Sequence, residues 1–200
     1  MSEIKVDKIS PQSGTALAVG DSGDTITIPS GATITNSGTA NGFGGGKVLQ
    51  VVSTTKTDTW TSSTASWVDV TGFSVDITPS ATNSKILVIM NTMISQTGST
   101  NRGAIRLMRD STAISIGDAA SARTPGTGYM RGGANYDIEN VCINYLDSPT
   151  IPSTPIAITY KIQGGVFNTN SMALNRDGSN DDSSWNIRTA STITVQEIGA

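Results

Sequence analysis

The sequence predicts an all-β protein: a C-terminal β-sandwich of jelly-roll type, preceded by a thin N-terminal β-fibre or attachment segment. Three observations carry this. From Lys47 onward, short stretches of alternating apolar and polar residues recur every ten or so positions, each closed by Gly, Pro, Asn, Asp or Ser. No stretch repeats its apolar residues at three and four positions, as a helix would. The composition, 36% hydrophobic with 21 glycines and only 14% charged residues, suits short strands joined by many turns.

The chain divides at Asn41-Gly42-Phe43-Gly44-Gly45-Gly46, a run that neither helix nor sheet readily absorbs because glycine loses most entropy on ordering. Residues 1–40 form the predicted attachment segment, 41–46 a hinge, and 47–200 the head. In the first segment, Ile4, Val6 and Ile9 alternate with charged residues until Ser10-Pro11. Leu17 with Val19, Ile26 with Ile28, and Ala32 with Ile34 then make three small pairs, separated by the turn sequences Gly20-Asp21-Ser22-Gly23-Asp24 and Pro29-Ser30-Gly31. The spacing predicts successive rungs of a slender fibre. Eight large aliphatic side chains cannot offset the entropy of ordering forty residues, so identical copies or a larger surface must supply the opposing wall.

Strands follow quickly in the head. Val48–Val52 and Thr54–Trp60 come first; Ser66–Val70 and Phe73–Ile77 alternate cleanly around a bend at Gly72. Ser84–Ile94 is the most apolar run and predicts a central strand covered on both faces. Ala104–Arg109 and Thr112–Ile116 form a hairpin on Asp110-Ser111, and Gly117–Gly133, aperiodic and rich in Gly and Pro, predicts a long exposed excursion. Tyr136–Leu146 places Val141, Ile143 and Tyr145 on one face and Cys142, Asn144 and Leu146 on the other. Ile156–Ile162, Ser171–Leu174 and Thr192–Ile198 complete the sheets, with a polar loop at Asn175–Ser184.

The chemistry inventory is short. The absence of histidine removes His-metal sites and every nucleophile-His pairing, and the single Cys142 predicts a small buried hydrophobe. Thirteen scattered Lys and Arg residues against a net charge of -3 predict no nucleic-acid partner, and no apolar run is long enough for a signal peptide or membrane span. Gly42–Lys47 lacks Walker spacing, with Asn41 and Val48 at the decisive places. Asp177–Asp182 starts like a calcium loop but has Asp182 at the turn glycine and Arg188 where the bidentate Glu belongs, so an acidic surface loop is predicted. Asp137, Glu139, Asp147, Asp177 and Asp181 are available carboxylates that no spacing pairs, and no enzyme, metal or cofactor is expected. Tyr129 and Arg131 on the excursion, and Asp181 with Trp185 on the acidic loop, are the candidate ligand-binding residues, since aromatic faces beside polar groups suit sugar rings.

Four stretches carry a resemblance: Gly46-Lys47-Val48-Leu49-Gln50-Val51; Val68-Asp69-Val70-Thr71-Gly72-Phe73-Ser74-Val75; Ile77-Thr78-Pro79-Ser80-Ala81-Thr82-Asn83-Ser84-Lys85-Ile86-Leu87-Val88; and Thr192-Ile193-Thr194-Val195-Gln196-Glu197-Ile198. With the opening Ser2–Ile9 and Ile28-Pro29-Ser30-Gly31-Ala32, the chain resembles fibre and appendage proteins of marine bacteriophages, notably those of cyanobacterial hosts. The resemblance implies a homotrimeric protein of the virion surface, made in the host cytoplasm. It would be held by residues 1–40 to a tail adaptor, another fibre or the capsid, with its head meeting a host surface glycan or protein. The eight aliphatic residues Ile4, Val6, Ile9, Leu17, Val19, Ile26, Ile28 and Ile34 would then line the trimeric stalk. Tail fibres of short-tailed phages usually begin with a large adaptor domain, and only some forty residues precede this head, so a capsid site is the alternative attachment point.

Overall fold

The computed structural model describes residues 9–33, 35, 37, 47–97, 102–131, 136–167 and 171–199, and the chain separates into two units, Met1–Phe43 and Gly44–Ala200. In the first, no strand forms among the described residues. The chain instead turns where the sequence places its turns: Asp24 N donates to Asp21 O (3.0 Å) and Ala32 N to Pro29 O (3.1 Å). Gly23 and Gly31 take the positive φ, 97° and 85°, of the third turn position. Among the described residues the predicted rungs do not pair, since two-residue apolar stretches are too short to hold a ladder. Ile9, Leu17, Val19, Ile26 and Ile28 are 46–65% exposed, while Ile4, Val6 and Ile34 lie outside the described residues.

The second unit is built of β1 (Val48–Lys56), β2 (Trp60–Ser62), β3 (Val68–Ile77), β4 (Lys85–Gln96), β5 (Arg102–Arg109), β6 (Thr112–Ile114), β7 (Gly128–Arg131), β8 (Ile138–Asp147), β9 (Ile158–Val166), β10 (Met172–Leu174) and β11 (Ser191–Ile198). All pairings are antiparallel. One sheet runs β1-β11-β4-β8, with β2 and β10 extending the lanes of β1 and β11; the other runs β3-β9-β5, with β6 and β7 sharing the far edge of β5. Numbered as eight principal strands in chain order (β1, β3, β4, β5, β7, β8, β9, β11), the sheets read 1-8-3-6 and 2-7-4-5. That is the interleaving of a jelly roll. Its core lies between them: Phe73, Ile77, Ile86, Met90, Ile94, Ile105, Leu107, Tyr160, Ile162, Met172 and Leu174 are all fully buried.

Several predicted elements take a different form. The two strands around Gly72 are one strand, β3, whose register slips between Asp69 and Ser74; Gly72 sits in that bulge at φ 75°. Lys56 fills the bulge, donating to Thr71 O at 2.8 Å and to both Asp58 oxygens at 2.9 Å. The excursion after β6 is not wholly exposed. Its second half forms β7, which buries Met130, because Thr127 N reaches Ile105 O (2.9 Å) and draws the chain back onto β5.

β4 is central in its sheet, but only its even-numbered face enters the core. Leu87 and Ile89 point outward, beside Leu146 and Val51, which are about half exposed. Cys142 belongs to that same outward face of β8 and is exposed, its Sγ donating to Asn140 Oδ1 at 3.0 Å; the strict alternation that buries Ile143 forces its neighbour out.

The β10/β11 lane is interrupted by residues 175–190. Asn175, fully buried at φ 61°, replaces the missing ladder. Its backbone N donates to Met93 O (3.0 Å), and its Nδ2 donates to Lys56 O (2.8 Å) and Asp58 O (2.9 Å). Ser191 Oγ donates to Asn175 Oδ1 (2.6 Å) and accepts from Met93 N (2.9 Å).

Candidate functional site

Strand direction gives the head two ends. At one, β1 begins beside Gly199, with Lys85, Asp147, Ile158 and Arg109 at the same level. At the other lie Gln96, Arg102, Arg131, Ile138 and Val166. Of the predicted binding residues, Tyr129 lines one cleft at this second end and Asp181 and Trp185 line another, while Arg131 does not line either and neighbours the first through its pairing with Arg102.

The larger, about 760 Å³, is lined by Arg102, Ala104, Asp118, Arg123, Tyr129 and Phe167 among others. Its floor follows from the register of β5, β7 and β9. Arg102 faces Arg131 and Ala104 faces Tyr129, so on the outward face an arginine pair stands above an alanine-tyrosine pair. On the other side of Ala104 sits Gly165. A Cβ there would come within 3.2 Å of the Trp67 ring and 3.3 Å of the Phe167 ring, so the two rings lie directly over the glycine. Phe167 is braced edge-on against Trp67, with centroids 5.3 Å apart, and Arg106 lies 4.7 Å above the same Trp67 ring. The wall is the loop 117–126, closed at its neck by Gly117 N to Gly126 O (3.2 Å) and folded at its tip by Arg123 N to Ala120 O (3.0 Å). Tyr129 is 57% exposed, and the three arginines of this cleft and its rim are exposed without an ion pair among the described residues.

The smaller cleft, about 430 Å³, brings Asp181 and Trp185 together with Tyr136, Ser183 and Asn186. Trp185 is 88% exposed and Tyr136 62%. The loop that carries them is pinned from within: Asn180 N donates to Asp177 Oδ1 (2.7 Å) and Asn186 Nδ2 to Asp181 O (3.0 Å). Among the described residues no three Asp, Glu or Cys side chains converge as a metal site would require.

No family model matches the chain, and no curated protein matches it. Among solved structures it is similar to a mutant VP2 protein of infectious bursal disease virus in T=1 particles, at a TM-score of 0.38 and 16% identity over 74% of this chain and 36% of that one. It is also similar to the Gt strain of the same virus, at 0.36 and 15% over 75% and 39%. The chain spans well under half the length of the viral chains it matches.

Two buried carboxylates, Asp147 and Glu197, serve the fold. Asp147, buried between the sheets, accepts two hydrogen bonds from Arg109 Nη1 (2.8 and 2.9 Å) and one from Tyr160 Oη (2.7 Å). Burial, and then the Asp147 carboxylate, push the Tyr160 phenol far above its ordinary range. Glu197, fully buried, gathers Ser80 N (2.7 Å), Ser80 Oγ (2.9 Å), Ser84 Oγ (2.7 Å) and Gln50 Nε2 (2.6 Å). Burial alone would raise its carboxyl, but these donors outweigh it and hold the group below the ordinary glutamate value.

The sequence singled out Tyr129, Arg131, Asp181 and Trp185; the clefts also hold Arg102, Arg123, Phe167 and Tyr136, which it did not single out. Strand register sets Arg102 beside Arg131, and that is invisible without the fold. Phe167 and Tyr136 carried a signal, since each is an aromatic residue at a strand end next to a polar loop.

Proposed function

We propose that this chain is a non-enzymatic virion appendage. Three copies join through residues 1–40 into a stalk fixed to the particle, and the jelly-roll heads present the clefts at their far end to a glycan on the host surface. The observation that carries the reading is the opposition of the two ends: the head joins residues 1–46 at β1, while both aromatic clefts and the strand ends Gln96, Arg102 and Arg131 lie at the other end. The exposed aliphatic residues Ile9, Leu17, Val19, Ile26 and Ile28 support the stalk, since a single copy leaves them in water. The sequence resemblance supplies the virion setting. Jelly rolls serve in capsids and in lectins alike, so the fold agrees with the reading without selecting it.

Particles lacking the protein provide the test. Intact particles that fail to adsorb to host cells are expected; particles that adsorb normally but break more readily under heat or osmotic shock would replace this reading with capsid decoration.

A further inference from the structure

We infer that the cleft walled by loop 117–126 is a binding site for an acidic saccharide, one bearing carboxylate or sulfate groups; this rests on the reading of the head as a glycan binder and names the class of glycan. Three facts converge. First, Arg102 and Arg131 are direct cross-strand neighbours, an arrangement that costs stability unless an anion lies between them. Arg123 is brought to the same cleft by the turn at Ala120–Arg123, against Asp118 as the one acidic residue among those that line it. In a protein of net charge -3, this is a local concentration of unpaired cation. Second, the guanidinium fork matches the planar oxygens of a carboxylate or sulfate. Third, the cations border an apolar bed: the Ala104 floor, with Tyr129 on one side and Phe167, 36% exposed, on the other. An aromatic face takes the C–H side of a pyranose while the arginines take its charge. The volume of about 760 Å³ lies within the range of ligand sites.

The test uses the full-length protein and fluorescent oligosaccharides of matched length: a polyuronate, a sulfated glucan, an uncharged glucan, and a single-stranded DNA oligonucleotide as a bare polyanion. Binding to the polyuronate, the sulfated glucan or both is expected, at least tenfold tighter than to the uncharged glucan and the DNA; the two acidic probes separate carboxylate from sulfate. Arg102→Ala with Arg131→Ala, and separately Tyr129→Ala, should each weaken that binding at least tenfold, whereas Trp185→Ala in the other cleft should leave it within twofold. All four side chains are exposed, so unchanged melting curves are expected to accompany the losses. Equal binding of the uncharged glucan or the DNA, no binding of either acidic probe, or insensitivity to the arginine pair would overturn the assignment. Host-cell binding in parallel separates the two readings. Cells bound but not competed by acidic saccharide leave the attachment role standing and sink the acidic site; acidic saccharide bound without any cell binding does the reverse.

Discussion

Glu197, Asp147 and Asn175 are single polar residues that each close a gap the apolar core leaves open. Because the Glu197 carboxyl is held below its ordinary value of 4.5, it contributes stability that is fully present above about pH 4.5 and is lost as the pH falls through its folded value. Glu197→Gln should therefore cost on the order of 1–3 kcal/mol at pH 7. Its deficit against the wild type should shrink in urea titrations run below pH 4.5. Asp147→Ala strands Arg109 and Tyr160 between the sheets and is expected to cost about 3–5 kcal/mol, against about 1.5–3 for Tyr160→Phe, which leaves the arginine paired. None of these roles was legible by spacing. Yet Gln50, Thr78, Ser80, Ser84 and Glu197 all belong to the stretches that carried the family resemblance, and they meet in one network, with Gln50 Nε2 also donating to Thr78 O at 2.7 Å. Three of those stretches thus meet in one buried carboxylate and its donors.

At the scale of elements, alternation was readable wherever a strand had one wet face. The hairpin on Asp110-Ser111 and the two faces of β8 follow the sequence directly. The merged β3 did not, because a bulge preserves alternation on either side while hiding the continuity between. β4 misled in another way. Its apolar outward residues predict cover, yet Leu87 is only partly buried, and Ile89 and Leu146 are exposed among the described residues. The outward face of the partner sheet is, by contrast, a paired polar surface, with Lys161 and Gln163 bonded to Asp69 and Thr159 to Asp76. Copies of an acidic chain meet with least repulsion through a face that carries no acidic side chain on β4, whose outward charge is Lys85 alone. If the copies proposed to join through residues 1–40 also meet on this face, Leu87→Lys with Leu146→Lys, which puts like charges on facing residues, should weaken association of the full chain in analytical ultracentrifugation. The head's own melting temperature should shift by about 2–4 °C. Cys142, on the same side, should become several-fold faster to label with a maleimide in that variant.

For the whole molecule, the orientation of the head was not legible in the sequence, because it depends on which strand ends share a level. Residues 47–200 expressed alone are expected to fold cooperatively and to sediment mostly as monomer, whereas the full chain should be trimeric at the same concentration. A full chain that stays monomeric at micromolar concentration would remove the stalk from the proposed function. Ile26→Asp with Ile28→Asp should give the monomer without altering the head's melting transition, because both side chains belong to the first unit.

The clasp between Asn175 and Ser191 has a consequence for how such a head can change. The fifteen residues between them, 176–190, are bracketed by two side chains fastened to the sheet and to each other, at 2.6 Å. Beyond Arg176, which donates to Thr61 Oγ1 of β2, and the buried Asp177, the exposed stretch around Trp185 can therefore vary in sequence and length as a cassette while the sandwich beneath stays as it is.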